Sequence, residues 1–118
     1  MGATSIMLDQ YIEAKVAESE IDWIGLRQLL GYSSRIDDLT RNSDSKANTL
    51  ALVAAMLRRG FQAVDLRIAD QSDRMIAVPW PDQSPAMVLD RIDREWSALG
   101  RDPNLWEVCW FDLPQAAR

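Results

Sequence analysis

Helix and strand follow one another within a single stretch of this chain, "SKANTLALVAAMLRRGFQAVDLRI" (residues 45–68). In its first part, apolar residues recur three and four positions apart, which predicts a helix with one buried face. The buried stripe of that helix is expected to consist of Leu50, Val53, Ala54 and Leu57. Gly60 can adopt the left-handed conformation that ends a helix, so we expect the helix to stop at Arg59.

The second part, "FQAVDLRI" (61–68), alternates apolar and other residues and predicts a half-buried strand. The apolar side chains expected on one face of this strand are those of Val64, Leu66 and Ile68. A polar turn, "ADQSDR", leads to a second apolar run, "MIAVPW" (75–80). Together they predict a β-hairpin with a polar tip, ended by Pro79 and Pro81 because proline lacks the N–H that continued pairing needs.

Further helices are expected on both sides of this middle part. Ser84 followed by Pro85 marks the start of the C-terminal helix, and Gly100 marks its end. The apolar stripe of that helix is Leu89, Ile92, Trp96 and Leu99. The stripe of an N-terminal helix is Leu8, Tyr11, Ile12 and Val16.

Two segments complete the prediction. Residues 21–30 allow either a short strand from Ile21 to Ile24 or a helix that begins at Asp22, and a helix over Leu26–Leu30 is favoured. The last apolar run, "LWEVCWF" (105–111), predicts a strand that is covered on both faces.

These elements predict one α+β domain over residues 1–118. The middle of the chain, around "LALVAAMLRRGF" and the hairpin, resembles a winged helix, and a C-terminal helix and strand follow it. The residues expected to share one core are Leu50, Val53, Leu57, Val64, Leu66, Leu89, Ile92 and Trp96.

Composition excludes several kinds of catalytic and metal site. The chain has no histidine and one cysteine, Cys109, so it can form neither a Cys/His zinc site nor a histidine-dependent nucleophilic site. Its five glycines are isolated from one another, which leaves no phosphate-binding loop. We therefore expect no catalytic residues, no metal and no cofactor, and a buried Cys109.

The charge of the chain indicates a class of partner. Thirteen basic residues stand against 18 acidic ones, for a net charge of −5. Such a chain is repelled by nucleic acid and by anionic membranes, and it suits a basic protein partner. No apolar run is long enough to cross a bilayer and no signal peptide is recognisable, so we expect a cytoplasmic location. The sequence does not indicate the oligomeric state.

The candidate partner contacts are acids in loops and on helix faces, with tryptophans as anchors where they are exposed. The acids are Asp37, Asp38, Asp44, Asp70, Asp73, Asp90 and Asp93. The candidate anchors are Trp80, between two prolines, and Trp110, on the last strand with Trp106. The alternative for each acid is an ordinary solvated charge, and for each tryptophan a place in the core.

Four segments carry a resemblance to known proteins: "YIEAKVAESEIDWIGL", "LRRGF", the "PW" after the hairpin, and "IDREWSALGRDPNLWEVCWF". Together they resemble a group of small bacterial proteins that are similar to the immunity proteins of polymorphic-toxin and contact-dependent growth-inhibition systems. The resemblance implies a protein that binds a toxin domain and protects the cell that makes it. No motif fixes the binding residues of such proteins, so the resemblance assigns none here.

Three functions remain open. The favoured one is a non-catalytic module that binds and neutralises a toxin domain, for example a nuclease, which is basic because it binds phosphate. The alternative is a winged-helix regulator that binds DNA through Lys46, Arg58 and Arg59, although Leu50–Met56 carries no charge. The third is a small enzyme that uses carboxylates such as Asp37 or Asp90.

Overall fold

The chain adopts an α+β fold, as predicted. The computed structural model describes residues 7–20, 22–33, 44–69, 73–105 and 107–114, and within these ranges it has four helices and four strands. In chain order they are α1 (Leu8–Glu18), β1 (Ile24–Gly25), α2 (Leu26–Ser33), α3 (Ser45–Arg59), β2 (Gln62–Ile68), β3 (Met75–Pro79), α4 (Pro85–Leu99) and β4 (Trp110–Asp112).

The four strands form one antiparallel sheet in the order β1-β4-β2-β3. The hairpin pairs Val64 with Pro79 and Ile68 with Met75. On its other side β2 pairs with β4, which in turn pairs with β1, so the last strand joins the two halves of the chain. The elements from β1 to β3 follow the order on which the winged-helix interpretation rests, but β4 separates β1 from the hairpin in the sheet, and that interpretation stays a prediction.

The ends of α3 follow from its flanking residues. Before the helix, a side-chain oxygen of Asp44 accepts a hydrogen bond from the backbone N–H of Ala47 at 3.1 Å, which caps the first turn. After the helix, Gly60 has a φ of 115°, a left-handed conformation that glycine adopts without steric cost. The predicted end at Arg59 is confirmed, as are the start of α4 at Pro85 and its end before Gly100.

The core lies on the opposite face of β2 from the one that the alternation predicts. The cluster of buried residues includes Ala63, Phe111 and Trp80 but not Val64 or Leu66. Val64 is fully buried on the other face, Leu66 is half-buried and Ile68 is 65% exposed. The prediction that Val64 and Leu66 share the core of the helices is therefore wrong. Neighbouring residues of a strand face opposite sides of the sheet, and the helices cover the side on which Ala63 lies, so Val64 and Leu66 face away from them.

The buried stripe of α3 also differs from the expected one. Leu50 and Ala54 are half-buried, whereas Val53 and Leu57 are buried as predicted. The other buried apolar residues of α3 are Leu52, Ala55 and Met56. This helix contacts α1, α2 and α4, so more than one of its faces is covered. On α4, Ile92 and Trp96 are buried as predicted, and Leu89 packs against the core from its edge.

Two segments differ from their predicted lengths. The last strand covers Trp110–Asp112 rather than 105–111, because a turn precedes it in which Val108 has a φ of 70°. In the segment before α2, a two-residue strand, Ile24–Gly25, leads directly into the helix, so the favoured helix over Leu26–Leu30 is confirmed and the alternative of a helix that begins at Asp22 is wrong. Cys109, just before β4, is buried as predicted.

Candidate functional site

The candidate contacts occupy different environments. Asp37, Asp38 and Asp70 lie outside the residues that the structure describes, as does Trp106. The exposed candidates are Asp44, Asp73, Asp90 and Asp93. Trp110 is half-buried and Trp80 is buried.

Trp80 is a core residue and not an exposed anchor, which corrects the prediction. Its side chain is only 3% exposed. The indole Nε1–H donates a hydrogen bond to Oδ1 of Asp65 at 3.0 Å, and the guanidinium carbon of Arg91 lies 3.7 Å from the ring centroid. Pro79 and Pro81 do end the strand, but the ring folds onto the helix-covered side of the sheet, where Asp65 satisfies its one donor.

Arg91 connects this tryptophan to the surface. Its Nε donates to Oε2 of Glu95 at 2.6 Å, one turn further along α4, and its Nη2 lies 4.0 Å from Oδ2 of Asp65. An open cleft of about 210 Å³ lies beside it. The cleft is lined by Trp80, Pro81, Asp82, Met87, Arg91 and Arg94. Its lining therefore combines one tryptophan, one proline, one methionine, one aspartate and two arginines.

The outer face of α4 carries an apolar residue in line with two predicted acids. Met87, Asp90 and Asp93 are spaced by three residues, so they lie on one side of the helix. Met87 is 50% exposed. Oδ2 of Asp90 accepts from Nε of Arg94 at 2.8 Å, and Asp93 forms an ion pair with Lys46 of α3.

The ion pair to Lys46 brings a third predicted acid to the same side of the molecule. Asp44 caps α3 two residues before Lys46, whose Nζ also donates to Oγ of Ser97 on α4 at 2.9 Å. The start of α3 therefore lies against the C-terminal half of α4. We call the exposed side chains of Asp44, Met87, Asp90 and Asp93 the α4 surface. Asp73 does not belong to it, since it lies at the tip of the hairpin, at the end remote from Pro79.

Trp110 has a structural partner within the sheet. It pairs with Gly25 across β1 and β4, and its ring lies so close that a Cβ atom on Gly25 would stand 3.2 Å from Cζ3 of the indole. The absence of a side chain at Gly25 lets the ring cover the backbone there. This contact accounts for the partial burial of Trp110 and favours packing over partner binding as its role.

Sequence reasoning missed two features. One is the exposed position of Met87. Its place three residues before Asp90, on the same side of the helix, could have indicated that exposure. The other is the acidity of residues 7–22, where one base, Lys15, stands among five acids. These acids are Asp9, Glu13, Glu18, Glu20 and Asp22. We call them the α1 acids.

The α1 acids are held to different degrees. Oε2 of Glu18 accepts from Lys15 at 2.6 Å, and its Oε1 accepts from Gln28 at 2.9 Å. Burial pushes the pKa of Glu18 upward, but these hydrogen bonds outweigh it, and the pKa lies below its usual value. Glu13 pairs with Arg59 across a cleft of about 460 Å³ between α1 and α3. Because that cleft has acids on one wall and arginines on the other, its charges do not favour either an acidic or a basic partner.

The geometry bears on the other two functions as well. Two of the three bases available for DNA, Lys46 and Arg59, form ion pairs with acids of the protein itself. Across the described ranges, no three histidine, cysteine or carboxylate side chains converge so that they could hold a metal ion. Burial raises the pKa of the Cys109 thiol well above its usual value, so it stays protonated. Among the described helices, none has the length and apolar character needed to cross a bilayer.

No protein-family model matches the chain, and no curated protein or solved structure is significantly similar to it.

Proposed function

We propose that this protein is a non-catalytic module that binds a basic protein partner and neutralises it, as immunity proteins do with a toxin domain. The α4 surface is the observation that carries the proposal. It combines a half-exposed methionine with three carboxylates. An apolar anchor surrounded by charged groups is the usual anatomy of a protein interface.

The ion pairs of the α4 surface are suited to exchange. Asp90 and Asp93 are both more than half exposed, and their partners Arg94 and Lys46 belong to the same chain. The Asp90–Arg94 pair is exposed on both sides, and pairs of this kind contribute about 0–1 kcal/mol, so a partner's lysine or arginine can replace Arg94 at small cost. Met87 then supplies an unbranched, adaptable side chain for the centre of the interface.

A nuclease toxin fits this surface because its charge is opposite to that of the acids and because the cell needs an inhibitor of it. Its cleft is basic because it binds phosphate, so acids from an inhibitor can occupy it and exclude the substrate. The producing cell needs that protection where its own nucleic acid lies, in the cytoplasm. We therefore propose that the protein acts there, against a cognate toxin domain.

Co-expression with the product of the neighbouring gene tests the proposal. The expected result is that the protein copurifies with that product and rescues cells from its toxicity. Asp90→Lys should abolish both effects, because it reverses a charge within the α4 surface. Asp9→Lys is the matched control: it makes the same change in net charge at an exposed position on α1, and it should still rescue, because it slows the encounter without removing a contact of the bound state.

Two outcomes would contradict the proposal. One is a wild-type protein that neither copurifies nor rescues. The other is equal loss of rescue in the two variants, which would assign the effect to net charge and not to the α4 surface. If the protein instead binds duplex DNA with an affinity that falls steeply as salt rises, the winged-helix regulator becomes the better account.

A further inference from the structure

The outer edge of β3 is open in the described sheet. β3 stands last in the strand order, so β2 pairs with one of its sides only. The backbone N–H of Ala69 donates to the carbonyl of Arg74 at 2.7 Å, and that of Trp80 donates to the carbonyl of Ala63 at 3.0 Å. The even-numbered residues of this segment therefore face β2, and Met75, Ala77 and Pro79 direct their backbone groups outward.

Two residues limit what can pair with this edge. Pro79 has no N–H, so an added strand finds no donor there. Asp73 has a φ of 42°, which ends the extended conformation on the other side. The usable donors and acceptors are then those of Met75 and Ala77. Both residues direct their N–H and C=O groups away from β2, and they are two positions apart. A strand that pairs with them must therefore present its own free N–H and C=O groups at a spacing of two residues.

We propose that β3 pairs antiparallel with β3 of a second copy of this chain. In the register that uses the outward N–H and C=O groups of both Met75 and Ala77, Met75 of each copy lies opposite Ala77 of the other, and each such pair exchanges both N–H···O=C bonds. Pro79 stays outside the bonded region in both copies. The two sheets become one continuous sheet across a two-fold axis.

The side chains are complementary to themselves in this register. Ile76 lies on the axis and faces Ile76 of the second copy, on the same side of the sheet as the helices. In the single chain it is a 37% exposed isoleucine, and pairing covers it. Arg74 falls opposite Val78 of the second copy, and Val78 pairs with Asp65 in its own sheet. An arginine side chain can span the two strand spacings to that carboxylate, which supplies opposite charges on both sides of the axis.

A short edge contact predicts a weak dimer that forms without any other protein. We therefore expect the purified full chain to associate as its concentration rises, in sedimentation velocity or in chromatography with light scattering. This assay contains no toxin, so its result is independent of the proposed function.

Two variants test the register. Ala77→Pro removes an N–H that faces outward, so the hairpin keeps its internal bonds while the dimer loses a donor on each side. Ile76→Lys places like charges on the axis. Both variants should stay monomeric at every concentration. Ile68→Lys is the matched control, since Ile68 is 65% exposed on the same hairpin but on the other face, and this variant should dimerise like the wild type.

The proposal is overturned if the wild type is monomeric over the whole range, or if Ile76→Lys dimerises like the wild type. The second variant decides the matter where Ala77→Pro fails to fold, which circular dichroism reports. A monomer whose Met75 and Ala77 amides become protected from exchange only with the neighbouring gene's product would also overturn it. That outcome would assign the edge to the partner protein.

Discussion

Glu107 organises the turn that delivers the chain to β4. Its two carboxylate oxygens accept from Nη1 and Nη2 of Arg101 at 2.6 and 2.8 Å, and Oε1 also accepts from the backbone N–H of Asn104 at 3.0 Å. The hydrogen bonds from Arg101, and then that from Asn104, lower the pKa of Glu107 from 4.5 to about 2.

This shift predicts how the turn responds to acid. A carboxylate whose pKa is lower in the folded protein stabilises the fold above its unfolded pKa, and the contribution disappears as pH falls through the folded value. Glu107→Gln should therefore reduce the free energy of unfolding at every pH above 4.5, including pH 7. The difference in this free energy between the variant and the wild type should vanish as the pH falls toward 2. Urea unfolding at several pH values measures it, and Asp102→Asn in the same turn is the control for lost charge. A difference that persists unchanged at pH 2 would contradict the assignment.

Trp96 and Met87 test the division of α4 into a buried and an exposed face. Trp96 is 4% exposed, so Trp96→Ala should lower the free energy of unfolding by about 3–5 kcal/mol through lost burial and the cavity it leaves. Met87→Ala, on the exposed face, should change it by no more than about 0.5 kcal/mol. Chemical unfolding of the two variants measures both values. If the two variants lost similar amounts of unfolding free energy, the assignment of a buried and an exposed face to α4 would be wrong.

At the scale of elements, Asp44 has a structural role that is separable from its charge. As the cap of α3 it accepts from the N–H of Ala47, so Asp44→Ala should destabilise the protein by about 0.5–2 kcal/mol. Asn also caps helices well, so Asp44→Asn should keep the stability while it removes the charge. Thermal unfolding compares the two variants. If both lose stability equally, the carboxylate acts through its charge and not as a cap.

The elements also show what can be predicted from the sequence. The bounds of α3 and α4 depend on local signals, namely a cap, a proline and a glycine, and they are correct. The covered face of β2 depends on distant parts of the chain. Apolar Val64, Leu66 and Ile68 suggest the wrong face, because the core side of the strand carries small Ala63 and Asp65, whose carboxylate holds the Trp80 indole. Alternation of apolar residues does not identify the covered face when the core side carries a half-buried carboxylate that binds a buried tryptophan.

The candidate site has the same limit. The prediction that Asp90 and Asp93 lie on a helix face is confirmed, and both are exposed, because helical spacing alone decides which side chains share a face. The contact of α3 with α4 that brings Asp44 and Lys46 to Asp93 is tertiary, and no spacing along the chain encodes it. Trp80 looks available between two prolines, yet Asp65 and Arg91 enclose it from separate elements.

At the scale of the whole molecule, the acids act through their common field. The α1 acids make residues 7–22 the most acidic part of the chain, whereas each acid of the α4 surface is near a base or serves as a cap. A partner with a basic cleft is attracted first by the net field, which extends over about 10 Å at 0.1 M salt. Contact with Met87 and the exchange of ion pairs follow only when the surfaces meet. Attraction and retention are thus assigned to different regions of the proposed inhibitor.

This separation predicts distinct kinetic effects in the proposed complex. Between about 50 mM and 500 mM salt, the association rate constant should fall by roughly tenfold or more, and the dissociation rate constant should change less. Asp9→Asn combined with Glu20→Gln should slow association and leave dissociation unchanged, since it weakens the field without touching the α4 surface. Met87→Ala should do the reverse, because it removes an apolar contact and no charge. Surface plasmon resonance with the neighbouring gene's product measures both rate constants. If the α1 variant speeds dissociation while Met87→Ala has no effect, the contact lies on α1, and the α4 surface is not the site that holds the partner.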